Sequence, residues 1–277
     1  FLGFLAVVAI LIWLAVFNLP DGRLRISFLD VGEGDSILLE SPSGRQILID
    51  GGPSPATVTS ALGDQLPFWD RSLDLVVLTH PQEDHLAGLI GVLERYRVGQ
   101  VIDSGQGCAT DLCERFEGLV EEKGIPCRRA RAGMRLKLGD GVEIEVFHPP
   151  ARLLTGTDSD VNNNSLVLRV TMGRASALLT GDIEEEGERA LLSSQRPLRS
   201  LLLKAPHHGA ATSLSPAFLR DVDPQLVVIS VGADNRFGHP APQTLARLSG
   251  LTTLRTDEQG TVEVVTDGER YTVRSER

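Results

Sequence analysis

The residues best suited to chemistry sit in "LVVLTHPQEDHLAGL", residues 75–89, where an apolar run ends in His80, Asp84 and His85 with Gln82 between them. Imidazole and carboxylate presented together suit Zn²⁺, Mn²⁺ or iron, and a shell richer in carboxylate and carbonyl oxygen shifts the balance toward Mn²⁺. The pattern recurs. "QILID" ends at Asp50, "SALLTG" leads to Asp182, "SLLLKAP" leads to His207 and His208, and "LVVISVGADNRFG" leads to His239. One histidine alone is usually a hydrogen-bonded core or surface residue. Several strand ends with His or Asp point to one metal centre, because loops at the carboxyl ends of strands converge on one rim in α/β folds.

The elements that must position these residues are short. "RLRISFLD", "DSILLES" and "RQILID" read as strands, with the turn "SPSG" closing the last two into a hairpin. The helix patterns "ATVTSALGDQL" and "LAGLIGVLERYR" alternate with the strands "LDLVVLT" and "VGQVID", and "DLCERFEGLVEEKG" stops at Gly124. "GVEIEVFHPP", "NSLVLRVTM" and "ASALLTGD" continue as strands. "EEEGERALLSS" is a helix with an acidic start that suits its dipole. The strands "SLLLKAPHHG" and "PQLVVISVG" follow, then the helix "APQTLARLS" and the pair "GTVEVVTDG" and "ERYTVRS". Two groups of strands with intervening helices predict two facing sheets with helices outside, a four-layer α/β sandwich, over one domain from 21 to 277.

Residues 1–20, "FLGFLAVVAILIWLAVFNLP", carry no charge. At about 1.5 Å per residue such a helix spans a hydrocarbon core of ~30 Å, so a transmembrane helix is expected there. A basic leader region and a cleavage site are lacking, which disfavours a signal peptide; a buried core helix is the other alternative. The net charge of −10 lies wholly in the rest of the chain and argues against a general basic nucleic-acid surface. "CRRARAGMRLK", with Arg128, Arg129, Arg131, Arg135 and Lys137, runs the other way, as either a solvated hairpin face or a phosphate-contacting patch. Three cysteines support neither a four-cysteine zinc site nor a disulfide framework; Cys108 with Cys113 is the local pair for one bridge, free thiols being the alternative.

In their order, "THPQEDHLAGL", "LLTGD" and "HHG" resemble the metallo-β-lactamase superfamily. That resemblance implies the αββα fold and a dinuclear metal site. The superfamily motif H-x-H-x-D-H falls on His80, Gln82, Asp84 and His85, its bridging aspartate on Asp182, and its last histidine on His208, with His207 an open alternative. Asp50 matches the aspartate that orients a ligand from behind. "FLDVGEGDSILLESPSGRQILIDGG", "NNNSLVLRV", "KAPHHGA" and "NRFGHP" further resemble the C-terminal domain of the ComEC family of DNA-internalisation competence proteins, which places such a domain after a polytopic membrane channel.

This chain departs from the superfamily where Gln82 replaces a histidine and "NNNS" stands where another is expected, offering Asn163 or Asn164. Hard amide and carboxylate oxygens favour Mn²⁺ or Mg²⁺ over Zn²⁺ at that position. The resemblance thus implies two divalent ions, Mn²⁺ favoured, in a nuclease that degrades one strand of incoming duplex. Its DNA contacts would be sequence-independent, at the outer side of the cytoplasmic membrane beside the channel and other uptake components. His239 and Lys204 are candidate donors to the leaving oxygen, and Ser165 to a phosphate, although Lys204 could face outward and Ser165 could serve only a turn. Another hydrolase of this fold, acting on a small phosphodiester, lactone or thioester, is the first rival. A non-catalytic DNA-binding or gating module is the second.

Overall fold

The computed structural model describes residues 3–5 and 20–277. The expected membrane-crossing helix over 1–20 falls almost wholly outside them, and among the described residues no helix is long and apolar enough to cross a membrane. The chain begins with strands β1 (Leu24–Phe28), β2 (Ile37–Glu40) and β3 (Gln46–Ile49), then helix α1 (Pro55–Gln65). Strands β4 (Ser72–Leu73) and β5 (Leu75–Leu78), helix α2 (Glu83–Arg95), strands β6 (Arg97–Val98) and β7 (Val101–Asp103), helix α3 (Asp111–Glu122) and strand β8 (Cys127–Arg129) follow.

The second half opens with β9 (Arg135–Lys137) and β10 (Val142–His148), and a 3₁₀ turn (Asn162–Asn164) precedes β11 (Val167–Met172) and β12 (Ala175–Leu179). Helix α4 (Glu185–Ser193), β13 (Leu202–Lys204), α5 (Pro216–Val222), β14 (Leu226–Ile229) and α6 (Pro242–Arg247) come next. The chain closes with β15 (Thr252–Arg255), the short α7 (Thr256–Gln259), β16 (Val262–Thr266) and β17 (Tyr271–Ser275).

These strands form an eight-stranded sheet ordered β17-β16-β1-β2-β3-β5-β7-β8 and a seven-stranded sheet ordered β15-β14-β13-β12-β11-β10-β9, with β4 and β6 as a separate pair. Period-two alternation decides which way each side chain faces. Ile47, Ile49, Leu75 and Val77 join Leu168, Val170, Leu202, Leu226 and Val228 between the sheets. Their neighbours Leu48, Val76 and Leu78 instead pack with Val58 and Leu62 of α1, Leu86 and Leu89 of α2 and Phe116 of α3. Across the molecule, Leu178, Leu203 and Val227 pack with Leu191 of α4, Phe218 of α5 and Leu248. Burying each such side chain contributes about 1.5–3 kcal/mol. The expected αββα layering is present.

The final hairpin β16–β17 returns to the first sheet, where β16 pairs antiparallel with β1. The Arg128–Lys137 segment is no hairpin: β8 pairs parallel with β7 in one sheet, and β9 antiparallel with β10 in the other. The parallel run β3-β5-β7 and the parallel run β12-β13-β14 bring their following loops to the same rim.

Candidate metal centre

Asp84, His85, Asp182 and His208 each offer an atom to one cluster, all within 4.8 Å of one another. Asp84 and His85 lie in the first turn of α2, whose N-terminal dipole favours an anionic side chain. Asp182 follows β12. His208 follows β13, and its φ of 51° belongs to the left-handed region that lets the "PHHG" turn double back. Two oxygens of the pair Asp84 and Asp182 face two imidazole nitrogens: His85 Nε2 stands 3.1 Å and His208 Nε2 3.2 Å from Asp182 Oδ2, and His208 Nε2 stands 3.3 Å from Asp84 Oδ2.

Both imidazoles are held from behind. His85 Nδ1 lies 2.8 Å from Asp50 Oδ2, and His208 Nδ1 2.9 Å from the Ser230 carbonyl. Each acceptor fixes the proton on Nδ1 and turns Nε2 toward the cluster, the usual way a ligating histidine is oriented. Asp50 is fully buried with a φ of 58°, and it also accepts the Thr79 N–H and hydroxyl, both at 2.7 Å. Because the Thr79 hydroxyl proton goes to Asp50, His80 Nδ1–H is the donor to Thr79 Oγ1 at 3.0 Å. That inventory leaves a lone pair on His80 Nε2, which faces another acceptor, Gln82 Oε1, at 3.1 Å with no proton between them.

Beneath the cluster lies a group that the sequence reading missed. Asp35, in the turn between β1 and β2, is buried and ion-paired with the buried Lys204 ammonium, which also donates to Asp182 Oδ1 at 3.3 Å and to the Gly181 carbonyl at 3.0 Å. Gly34 makes this turn fit: its φ is +116°, and a Cβ there would lie 2.0 Å from the Asp84 carbonyl oxygen. A signal for Asp35 was available in the acidic, glycine-flanked "GEGDS" at a strand end, but "DSILLES" reads first as strand.

The charge balance shows what the cluster demands. Burial lowers the affinity of the His85 and His208 imidazoles for protons, yet the carboxylates around them outweigh it: His85 is held well above its ordinary value and His208 reaches about 10. Burial pushes Asp182 up, but His208, His85 and Lys204 together hold it well below the usual carboxylate range. Protons on two imidazoles thus stand in for missing positive charge. His80, by contrast, is pulled down to about 3 by burial and by neighbouring His85, so it stays neutral. Two carboxylates, two oriented imidazoles and this demand for charge fit one divalent ion. A second ion would find His80 and Gln82 beside Asp182, whose Oδ1 already faces Lys204; that donor set is sparse.

Several sequence assignments are corrected by placement. Lys204 is fully buried against Asp35 and Asp182, so it cannot reach a leaving group and serves as a charge partner. The Asn164 amide is spent on the Leu154 N–H and carbonyl and on the Asp160 carbonyl, and the Asn163 oxygen accepts the Glu184 and Gly187 N–H groups at the start of α4. Neither asparagine supplies a free amide oxygen to the cluster. Ser165 is buried and accepts the Asp182 N–H at 3.2 Å, so it positions that loop and does not face substrate. His207 turns away from the cluster toward Glu184 Oε1, 3.4 Å from Nδ1.

His239 lies at the open side, its ring 6.2 Å from that of His208 and its Nδ1 3.7 Å from Glu33 Oε1. Both line a cleft of about 530 Å³ with Gln82, Asp84 and His208. Arg128, Arg129 and Arg131 do not line it. They lie on and after edge strand β8, and the Arg131 guanidinium donates to the Ser104 and Ala130 carbonyls. Cys108 and Cys113 form a disulfide, and Cys127 is free.

Residues 29–232 match the family described as the metallo-beta-lactamase superfamily. The chain belongs to this superfamily. Competence protein ComA of Neisseria gonorrhoeae is 32% identical over 247 residues, 88% of this chain and 32% of that protein. ComE operon protein 3 of Bacillus subtilis (strain 168) is 28% identical over 257 residues, 86% of this chain and 32% of that protein. The chain thus spans about a third of the length of these relatives. Among solved structures, the metallo-beta-lactamase fold protein YhfI from Bacillus subtilis superposes with a TM-score of 0.56 at 12% identity, covering 91% of this chain and all (100%) of that one. At that identity the likeness is one of fold. The ComEC-type resemblance read from the motifs agrees with the named relatives.

Proposed function

We propose that this chain, a superfamily hydrolase related to competence proteins, is a metal-dependent nuclease that hydrolyses DNA phosphodiesters. The observation that carries the proposal is the Asp84, His85, Asp182 and His208 cluster opening onto a cleft. The resemblance of the motifs to the ComEC family of DNA-internalisation competence proteins suggests the substrate class. Asp84, His85, Asp182 and His208 would hold a divalent ion, which would supply Lewis acidity and lower the pKa of an attacking water. We favour Mn²⁺, with Zn²⁺ and Mg²⁺ as competitors: the two carboxylates suit Mn²⁺ or Mg²⁺ and the two imidazoles suit Zn²⁺ or Mn²⁺. A second ion at His80 and Gln82 would be held more weakly than the first.

The chain's own residues do the rest. Asp50 and the Ser230 carbonyl keep both imidazoles turned toward the ion, and Lys204 balances the buried carboxylates. His239, paired with Glu33, is the group at the open side that can give a proton to the leaving oxygen. Placement at the outer side of the cytoplasmic membrane, beside a channel, belongs to the same proposal and follows from the resemblance of the motifs to the ComEC family. The test is degradation of end-labelled duplex and single-stranded DNA by metal-stripped protein resupplied with Mn²⁺, Mg²⁺ or Zn²⁺, beside an Asp84→Ala control and a panel of small esters. Cleavage of DNA that needs a metal and Asp84 supports the reading. Turnover confined to small esters would replace it with another hydrolase of this fold.

A further inference from the structure

The loop after β14 presents an aromatic ring where the core has no use for it. Phe237 is 70% exposed at the mouth of the cleft. Its ring lies 5.9 Å from that of His239 at an interplanar angle of 24°, and His239 stands 6.2 Å from His208 at 26°. The rings of His208, His239 and Phe237 therefore follow one another from a cluster residue to the surface. The tip is held in place: Asn235 donates through Nδ2 to the Gly232 carbonyl at 3.0 Å and the His239 carbonyl at 2.7 Å, and its Oδ1 accepts the His239 N–H at 2.9 Å. Gly238, at a φ of +74°, turns the chain back. Only Arg236, Phe237 and Gly238 lie between these staples.

Charge points the same way. Among the described residues Arg236 is the only lysine or arginine lining the cleft, which Glu33, Glu83 and Asp84 also line. It makes no ion pair with any of the three within 4.0 Å. Glu33 Oε1 faces His239 Nδ1 at 3.7 Å and so is directed to that ring and not to Arg236. An exposed aromatic face beside one unpaired guanidinium suits a ligand with a flat π surface and an anionic backbone. We propose that Phe237 and Arg236 form a nucleotide subsite of this cleft, the phenyl ring stacking the base of an unpaired nucleotide and the guanidinium holding its phosphate. A base inside a duplex has both faces covered, so the subsite selects single strands or frayed ends. This rests on the nuclease reading and names the substrate form the cleft accepts.

The test uses single-stranded oligonucleotides carrying 2-aminopurine at successive positions, bound in Ca²⁺, an oxygen-seeking ion. Wild-type protein should quench the fluorescence at one or two adjacent positions. Phe237→Ala should lose the quench and bind roughly tenfold more weakly, the scale of one base–aromatic stack, while Phe237→Trp restores both. Arg236→Gln should lower the salt slope of binding by about one. An alanine variant that quenches and binds like wild type overturns the proposal, as does a wild type that quenches nowhere. Quenching by a wild type that cleaves no DNA with any metal keeps the subsite and removes the nuclease reading. DNA cleavage with unchanged quenching in Phe237→Ala keeps the nuclease and removes the subsite.

Discussion

Asp50 and Lys204 never meet the open cleft, yet they decide how the cluster presents itself. Asp50 accepts His85 Nδ1–H at 2.8 Å, so Asp50→Asn should leave the fold intact but loosen the orientation of His85. Removing such a partner typically costs about 10–100-fold in metal affinity. Competition with a chelating dye measures it; unchanged affinity would mean that His85 needs no orienting group. Lys204 is a different case. Its ammonium is buried between Asp35 and Asp182, and Lys204→Met strands both carboxylates. Breaking a buried pair by removing one partner costs about 3–5 kcal/mol. Urea unfolding of metal-free protein should show that loss, and Asp35→Asn with Lys204→Met together should cost less than the two summed, because each single change leaves the other charge uncompensated.

At the level of elements, the sequence was legible where one strand's own pattern sufficed. Apolar runs ending in Asp50, His80, Asp182 and His208 identify both the strand and its carboxyl end, and the structure brings these buried ends to one rim. It was illegible where position depends on a distant segment. Asn163 reads as a free amide until the start of α4 is packed over it, and the arginine-rich stretch reads as one patch until β8 and β9 fall into different sheets. Asp35 reads as the start of a strand until Lys204 arrives from the other half of the chain.

The end of β10 shows a consequence for pH. His148 is buried with Nε2 2.8 Å from the Asn163 carbonyl, and burial lowers its pKa from 6.5 to about 4. The unfolded chain binds the proton more readily, so stability is complete above pH 6.5 and falls as pH drops from there toward 4. At about 1.4 kcal/mol per pH unit the loss approaches roughly 3 kcal/mol. His148→Gln keeps a donor for the carbonyl and should flatten this limb of an unfolding-against-pH curve; an unchanged limb would assign it to other groups.

Across the whole molecule the cluster is a junction. Asp84 and His85 stand on α2, packed against the first sheet, whereas Asp182 and His208 follow strands of the second. An ion held by all four would add to the Asp35–Lys204 ion pair and the His85–Asp182 and His208–Asp84 contacts that already join the two layers at this rim. Binding to the native state at a hundred times the Kd adds about 2.7 kcal/mol, which for a domain of this size raises Tm by roughly 5–10 °C. Mn²⁺ should produce that rise, and Asp182→Asn should abolish most of it. The rise alone does not say which residues hold the ion, because any native-state ligand stabilises. Hydrogen exchange does. An ion shared by the two halves slows exchange both at the start of α2 and in the turn after β13, since each half is then restrained by the other. Slowing confined to α2 would place the ion on one half, and the four residues would no longer count as one site.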